Sequence, residues 1–311
     1  MDSARATEAL LNGVLAESTT RVEAALEDRA NVDGSSALFC TPIMAATLQN
    51  SAGMVSLLLE HGADPDRPSD HFIASQHHPG KTLVTPGERA LHLAARRGDI
   101  YIVPLLLKHA RADPNAADTL GRTPLMMACA SEQNHIVVVR LLLEAGADPA
   151  VSDDGGYTAL HLAARHGRFE LVNMLYAGAP ATLTKHTGDG HTPLAFACSY
   201  GHERMASRLI SKGAMAWMIL DENQSWPLKS AVSGGFVSIV RLLLEQWAGV
   251  VQDPDCFPEI LCTAVRKNYA SILRMLLSAD GEDVQSYWTN TEFGGMQLLH
   301  CVALPTAVPP Q

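Results

Sequence analysis

Three short segments carry residue types whose spacing could do chemistry. Ser75 stands five residues before Gly80-Lys81-Thr82, close to the Gly-x-x-x-x-Gly-Lys-[Ser/Thr] loop whose backbone amides and lysine hold nucleotide phosphates. Ser75 occupies the first glycine position, no strand pattern precedes it, and Pro86 arrives too soon for the helix that would face the phosphate. His202-Glu203-Arg204-Met205-Ala206 opens like a zinc-protease His-Glu-x-x-His helix, but Ala206 removes the second ligand. His71, His77 and His78 could converge on a metal, against the simpler reading of exposed imidazoles in a polar loop. No Gly-x-Ser-x-Gly occurs. None of the six cysteines (40, 129, 198, 256, 262 and 301) forms a Cys-x-x-Cys pair, so no zinc knuckle or thiol redox site is expected. These segments predict no catalytic residue, no metal and no cofactor, and therefore a chain that is not an enzyme.

Composition narrows the alternatives. The 311 residues carry 23 basic and 33 acidic side chains, a net charge of −10 that repels a phosphate backbone over most of the surface. Direct nucleic-acid contact is not expected. Apolar residues make up 47% of the chain but aromatic ones only 5%, so the core must be aliphatic. No signal peptide and no run of 18 apolar residues is present, so secretion and membrane insertion are not expected. The cysteine usage fits a reducing compartment, cytoplasmic or nuclear.

What positions these residues is a repeat. The same opening recurs at Thr41-Pro42-Ile43, Arg89-Ala90-Leu91-His92, Thr123-Pro124-Leu125, Thr158-Ala159-Leu160-His161, Thr192-Pro193-Leu194 and Trp226-Pro227-Leu228, with fainter copies at Glu259 and Gln297. Apart from one step of 48 residues and a last one of 38, the copies lie 33 to 35 residues apart. Each position has a physical reason. A Thr hydroxyl caps free amides at a helix start, and Pro at the first helical position lacks an N–H the helix cannot use. Small pairs follow (Ala94-Ala95, Ala128-Cys129, Ala163-Ala164, Ala197-Cys198) and let neighbouring first helices approach closely. Gly98, Gly167 and Gly201 suit a left-handed turn. A second, apolar helix follows, with buried faces expected at Val55, Leu58 and Leu59, at Ile102, Leu105 and Leu106, and at Ile136, Val139, Leu142 and Leu143. It ends at Gly-Ala-Asp-Pro (62–65 and 146–149), and an exposed hairpin such as 118–122 leads onward.

The period and the Thr-Pro-Leu-His opening resemble the ankyrin-repeat family over nearly the whole chain. The resemblance implies an all-α ankyrin-repeat solenoid of stacked helix-turn-helix units with protruding hairpin turns, about eight repeats plus a partial ninth. Residues 1–40 form an N-terminal degenerate capping repeat beginning near Glu8, 41–66 repeat 2, and 67–88 an inserted loop. Repeats 3 to 7 occupy 89–258, degenerate repeat 8 occupies 259–296, and 297–311 is a partial C-terminal repeat or tail. The resemblance also implies that His92, His161 and His300 hydrogen-bond neighbouring units, a link missing at Met44, Met126, Ala195 and Lys229. The insertion reads either as a tolerated surface loop or as a partner-contacting one. The C-terminal half-repeat reads as a cap or a shortened product, and the tryptophans (217, 226, 247 and 288) as gap-fillers or an aromatic binding patch.

In that family, hairpin tips and first-helix ends form a concave binding surface. The matching tip residues are Thr119, Leu120, Arg122, Asp154, Tyr157, His191 and Asn223; the helix-end residues are Arg96, Arg97, Arg165, His166, Ser199 and Tyr200. Residues 89–168 hold nine basic and eight acidic side chains, one net positive charge in an otherwise acidic chain. The resulting expectation is a protein-interaction scaffold, monomeric by itself, gripping a protein partner through an acidic segment of that partner. The alternatives are a regulatory subunit, such as a transcriptional co-regulator that docks without touching DNA, and a fragment of a larger ankyrin protein.

Overall fold

In the computed structural model of the chain, the structure describes residues 3–35, 41–70, 73–74, 82–108, 112–214, 227–246 and 257–278. The chain divides into two compact units, Met1–Gly188 and Asp189–Gln311. The first contains five antiparallel helix pairs: α1 (Ser3–Leu15) with α2 (Thr19–Glu27), α3 (Pro42–Leu48) with α4 (Ala52–Glu60), α5 (Ala90–Arg97) with α6 (Ile102–Lys108), α7 (Pro124–Ala130) with α8 (Ile136–Glu144), and α9 (Ala159–Arg165) with α10 (Val172–Gly178). The second contains α11 (Pro193–Ser199) with α12 (Glu203–Ser211), α13 (Pro227–Gly234) with α14 (Val237–Gln246), and α15 (Phe257–Arg266) with α16 (Ala270–Ser278). First helices stack on first helices and second on second within each unit. This is the all-helical repeat architecture that the sequence predicts. The N-terminal pair begins at Ser3, earlier than the expected start near Glu8. The partial ninth repeat, the four tryptophans, the segment 75–81 and His71 lie outside the described residues.

Local chemistry sets the helix ends. Thr123 and Thr192 Oγ1 accept the amides of Met126 (3.4 Å) and Ala195 (3.2 Å). Thr41 does not act this way, and its buried hydroxyl has no partner. The paired small residues are all essentially inaccessible. Burial pushes the Cys129 thiol up to about 12 and the Cys198 thiol up as well, so neither is poised to react. Gly98 (φ 73°) and Gly201 (φ 75°) adopt the left-handed conformation, and a second constraint reinforces each. A Cβ on Gly98 would lie 2.0 Å from the His135 ring, and one on Gly201 would lie 2.4 Å from Phe236. The first residue of one second-helix turn therefore packs over the glycine of the preceding pair.

The second helices turn slightly differently from the predicted register. In α6 the buried residues are Ile102, Val103 and Leu106, with Leu105 half-exposed; in α8 they are Val138, Val139 and Leu142, with Ile136 and Leu143 half-exposed. Leu59 is likewise half-exposed beside buried Val55 and Leu58. These helices are packed on one side by their own first helix and on another by the adjacent second helix. The two together favour consecutive residues over the single i, i+3 row.

Polar side chains tie the pairs together. His92 is buried; its Nδ1 accepts the Arg89 amide (3.2 Å), so Nε2 carries the proton and donates to the Arg122 carbonyl in the next hairpin (3.0 Å). His161 repeats this with the Thr158 amide (3.1 Å) and the Lys185 carbonyl (3.1 Å). A second chain of links was not foreseen: Asp33, Asp66 and Asn115 accept the amides of Asp64 (2.7 Å), Asp113 (2.8 Å) and Asp148 (2.7 Å), each one pair further on. Ala150 ends the series, and there Lys185 Nζ takes over by donating to the Ala150 carbonyl (2.6 Å).

The insertion is more ordered at its base than a loop. The Ser69 amide donates to the Glu88 carbonyl (2.8 Å) and the Gly87 amide to the Ser69 carbonyl (2.8 Å). Beyond them β1 (Ile73–Ala74) pairs antiparallel with β2 (Thr82–Val84). Proline and glycine content marked the turns but hid this ladder, because a two- to three-residue strand has no periodicity to read.

Two outcomes follow. Leu106→Ala should cost roughly 2–5 kcal/mol and Leu105→Ala clearly less, by urea denaturation; equal losses would contradict the observed register. Burial lowers the His92 pKa to about 4, mainly through desolvation, while the unfolded chain binds the same proton near 6.5. Its contribution to stability is therefore complete above pH 6.5 and is lost as the pH falls toward 4, by up to ~1.4 kcal/mol per pH unit. Melting temperatures between pH 7 and 5 should fall more steeply for the native chain than for His92→Gln.

Candidate docking surface

The hairpin turns are built from their own aspartates. Asp118 Oδ1 accepts the amides of Leu120 (2.9 Å) and Arg122 (2.8 Å); Asp153 Oδ1 accepts those of Gly155 (3.0 Å) and Tyr157 (2.8 Å). Gly121 and Gly156 supply the positive φ that closes each turn. Successive tips are joined by backbone bonds: Thr119 amide to Pro86 carbonyl (3.4 Å), Asp154 amide to Leu120 carbonyl (3.0 Å), and Gly188 amide to Gly155 carbonyl (2.8 Å). The tips of the first unit thus form one hydrogen-bonded row that includes the base of the insertion. It presents Thr119, Leu120 (51% exposed) and Asp154, with Tyr157 half-buried and its ring edge-on to His161.

The arginines divide into two groups. Arg96 is committed to the protein: its guanidinium forms a bidentate pair with Glu88 (Nη1–Oε1 2.6 Å, Nη2–Oε2 3.2 Å), and the Glu88 side chain is fully buried. Arg122 is committed too, through Nε and Nη2 to Asp118 (2.7 and 2.6 Å) and through Nη2 to Thr85 Oγ1 (3.0 Å). Both hold the base of the insertion against α5 and the next hairpin. Their charges are balanced by buried carboxylates, so both guanidiniums are engaged within the chain. The predicted basic stretch counted formal charges; Arg96 pairs with Glu88 eight residues back in the insertion, and Arg122 pairs with Asp118 while also reaching Thr85 in the insertion. Breaking the Arg96–Glu88 pair should cost on the order of 2 kcal/mol, below the ~3–5 kcal/mol of a fully buried pair because a third of the Arg96 side chain meets solvent. Charge reversal there would disturb folding before it reported on binding.

Arg97 and Arg165 are exposed at the ends of α5 and α9, Arg97 with one nitrogen on the Leu48 carbonyl (2.6 Å); His166 is half-buried beside Arg165. His191, Ser199 and Tyr200 belong to the second unit. There the rings run edge-on from His191 to Phe196 (5.3 Å) and then stack from Phe196 to Tyr200 (6.5 Å) and from Tyr200 to His202 (6.4 Å), with Tyr200 48% exposed and Ser199 half-buried. Asn223 lies outside the described residues. His202 thus sits in an aromatic row, and among the described residues no group of three or more His, Cys, Asp or Glu could hold a metal ion.

Sequence reasoning missed a second exposed apolar set. Ile100 (46%), Tyr101 (71%) and Val137 (52%) lie at the starts of α6 and α8, at the turn between helices rather than at the hairpins. Ile100 and Tyr101 immediately precede α6, and Val137 is the second residue of α8.

Comparison with known proteins agrees with this architecture. The family model described as "Ankyrin repeats (3 copies)" matches residues 66–153, 91–185 and 160–257, and the "Ankyrin repeat" model matches 39–70. The chain is 29% identical over 280 residues to the ankyrin repeat and KH domain-containing protein mask-1 of Caenorhabditis elegans, covering 78% of this chain and 11% of that protein. It is 32% identical over 178 residues to the nuclear factor NF-kappa-B p105 subunit of Gallus gallus (57% and 17%). It is 32% identical over 218 residues to the transient receptor potential cation channel subfamily A member 1 of Homo sapiens (66% and 17%). The chain therefore spans less than a fifth of the length of these relatives. Among its described residues no helix is long and apolar enough to cross a membrane. With its period, helix pairs, hairpin row and family matches in agreement, the chain belongs to the ankyrin-repeat family, a module of protein–protein interaction.

Proposed function

We propose that the chain is a docking scaffold that binds a partner protein through its hairpin tips and first-helix ends, and that it acts by binding rather than by catalysis. The observation that carries this reading is the row of first-unit tips, held rigid by backbone bonds and internal aspartates while Thr119, Leu120 and Asp154 remain on the surface. A pre-organised row loses little freedom on binding, and an exposed leucine at its centre offers an apolar anchor. The perturbed titratable groups support the non-catalytic part of the reading. His92 serves a link between units, and Cys129 and Cys198 serve close helix packing.

The electrostatic part assigns Arg97 and Arg165, exposed at the first-helix ends, to receive an acidic segment of the partner. Similarity to a nuclear factor subunit favours a narrower second version, a regulatory subunit that docks without direct DNA contact. Nuclear accumulation of the full chain would support it, and exclusion from the nucleus would remove it.

Affinity capture of the tagged chain from its native cells tests the reading. Leu120→Asp should lose most of the bound partner without a change in melting temperature. Arg97→Glu with Arg165→Glu should weaken binding several-fold, more at low salt than at high. Unchanged capture by the Leu120 variant would place binding elsewhere, and unchanged capture by the double variant would remove the acidic segment.

A further inference from the structure

The chain contains four Thr-Pro pairs within its described residues, at 41, 85, 123 and 192. Three begin helices α3, α7 and α11. Thr85 differs in every respect. It opens a four-residue turn, Thr85-Pro86-Gly87-Glu88, closed by the Glu88 amide on the Thr85 carbonyl (3.2 Å), with Gly87 at φ 80°. It follows β2 directly and is half-exposed. Its hydroxyl accepts from Arg122 Nη2 at 3.0 Å, and the same guanidinium holds Asp118.

From this placement we propose that Thr85 is a phosphoryl-acceptor site for a proline-directed protein kinase, and that Arg122 is the receptor for the resulting phosphate. The reaction balances simply. The Thr85 oxygen attacks the γ-phosphorus of a nucleoside triphosphate, the bond from that phosphorus to the bridging oxygen breaks, the diphosphate departs, and the hydroxyl proton goes to the kinase's base. The product carries about −1.5 to −2 charges and three strong acceptor oxygens. Arg122 already points at the reacting oxygen, so a charge-assisted, bidentate contact needs only that the guanidinium be shared with Asp118. The Thr85 amide donates to Glu88 Oε2 (2.9 Å), so the phosphate also adds negative charge beside the Arg96–Glu88 pair. Modification therefore acts on the junction between the insertion and the hairpin that carries Leu120. Its effect on partner binding rests on the docking reading; the chemistry at Thr85 does not.

The full, folded chain incubated with ATP and a purified proline-directed kinase should take up one phosphate at Thr85, mapped by mass spectrometry and absent from Thr85→Ala. A synthetic peptide of residues 79–91 serves as the positive control. Phosphorus NMR of the modified chain should show a second phosphate ionisation about one pH unit lower than in the modified Arg122→Gln chain. A folded chain that stays unmodified, whether or not the peptide is modified, overturns the site. A phosphate whose ionisation is the same with and without Arg122 overturns the receptor.

Discussion

A first helix of seven or eight residues makes two turns and cannot shield its own apolar side. That constraint shapes everything else in this chain. Each first helix lies against another first helix, with alanine or cysteine where α5, α7, α9 and α11 approach, and α5 and α11 stop after two turns at a left-handed glycine. These glycines, Gly98 and Gly201, also leave room for the ring of His135 or Phe236 from the following pair. Stability is then a property of interfaces between neighbours and not of any single pair.

Because the interfaces are narrow, polar groups link one pair to the next. Buried imidazoles, an Asp/Asn series and backbone bonds between hairpin tips each join one pair to the next. The insertion is absorbed by the same logic. Where a two-residue tip would normally meet its neighbour, a longer ribbon meets it through Pro86, and two arginines with buried carboxylate partners fasten the joint. The chemistry-bearing residues in these links are occupied, so what remains for recognition is the surface they hold in place.

The parts of this arrangement that were legible in the sequence are those with a local backbone cause. Thr-Pro, the alanine pairs and the closing glycines mark positions whose reason lies within one pair, and they recur in register. The fates of Arg96 and Arg122 were not legible, because Glu88 and Thr85 lie in a segment with no counterpart in other repeats. Leu105 and Leu106 were indistinguishable because their order of burial depends on how two flanking helices approach. The series Asp33, Asp66 and Asn115 could have been found, since an acidic or amide residue stands two places after Ala30-Asn31, Ala63-Asp64 and Ala112-Asp113. Its meaning required seeing that the acceptor of one pair meets the amide of the next.

Under the docking proposal, partners meet the hairpin row and not the turns between helices. Side-chain oxidative footprinting of the chain, alone and with its captured partner, separates the two within the first unit. Leu120 and Tyr157 should become protected while Ile100, Tyr101 and Val137, exposed at the turns between helices, react as before. Protection of Ile100, Tyr101 and Val137 with Leu120 unchanged would contradict the proposal.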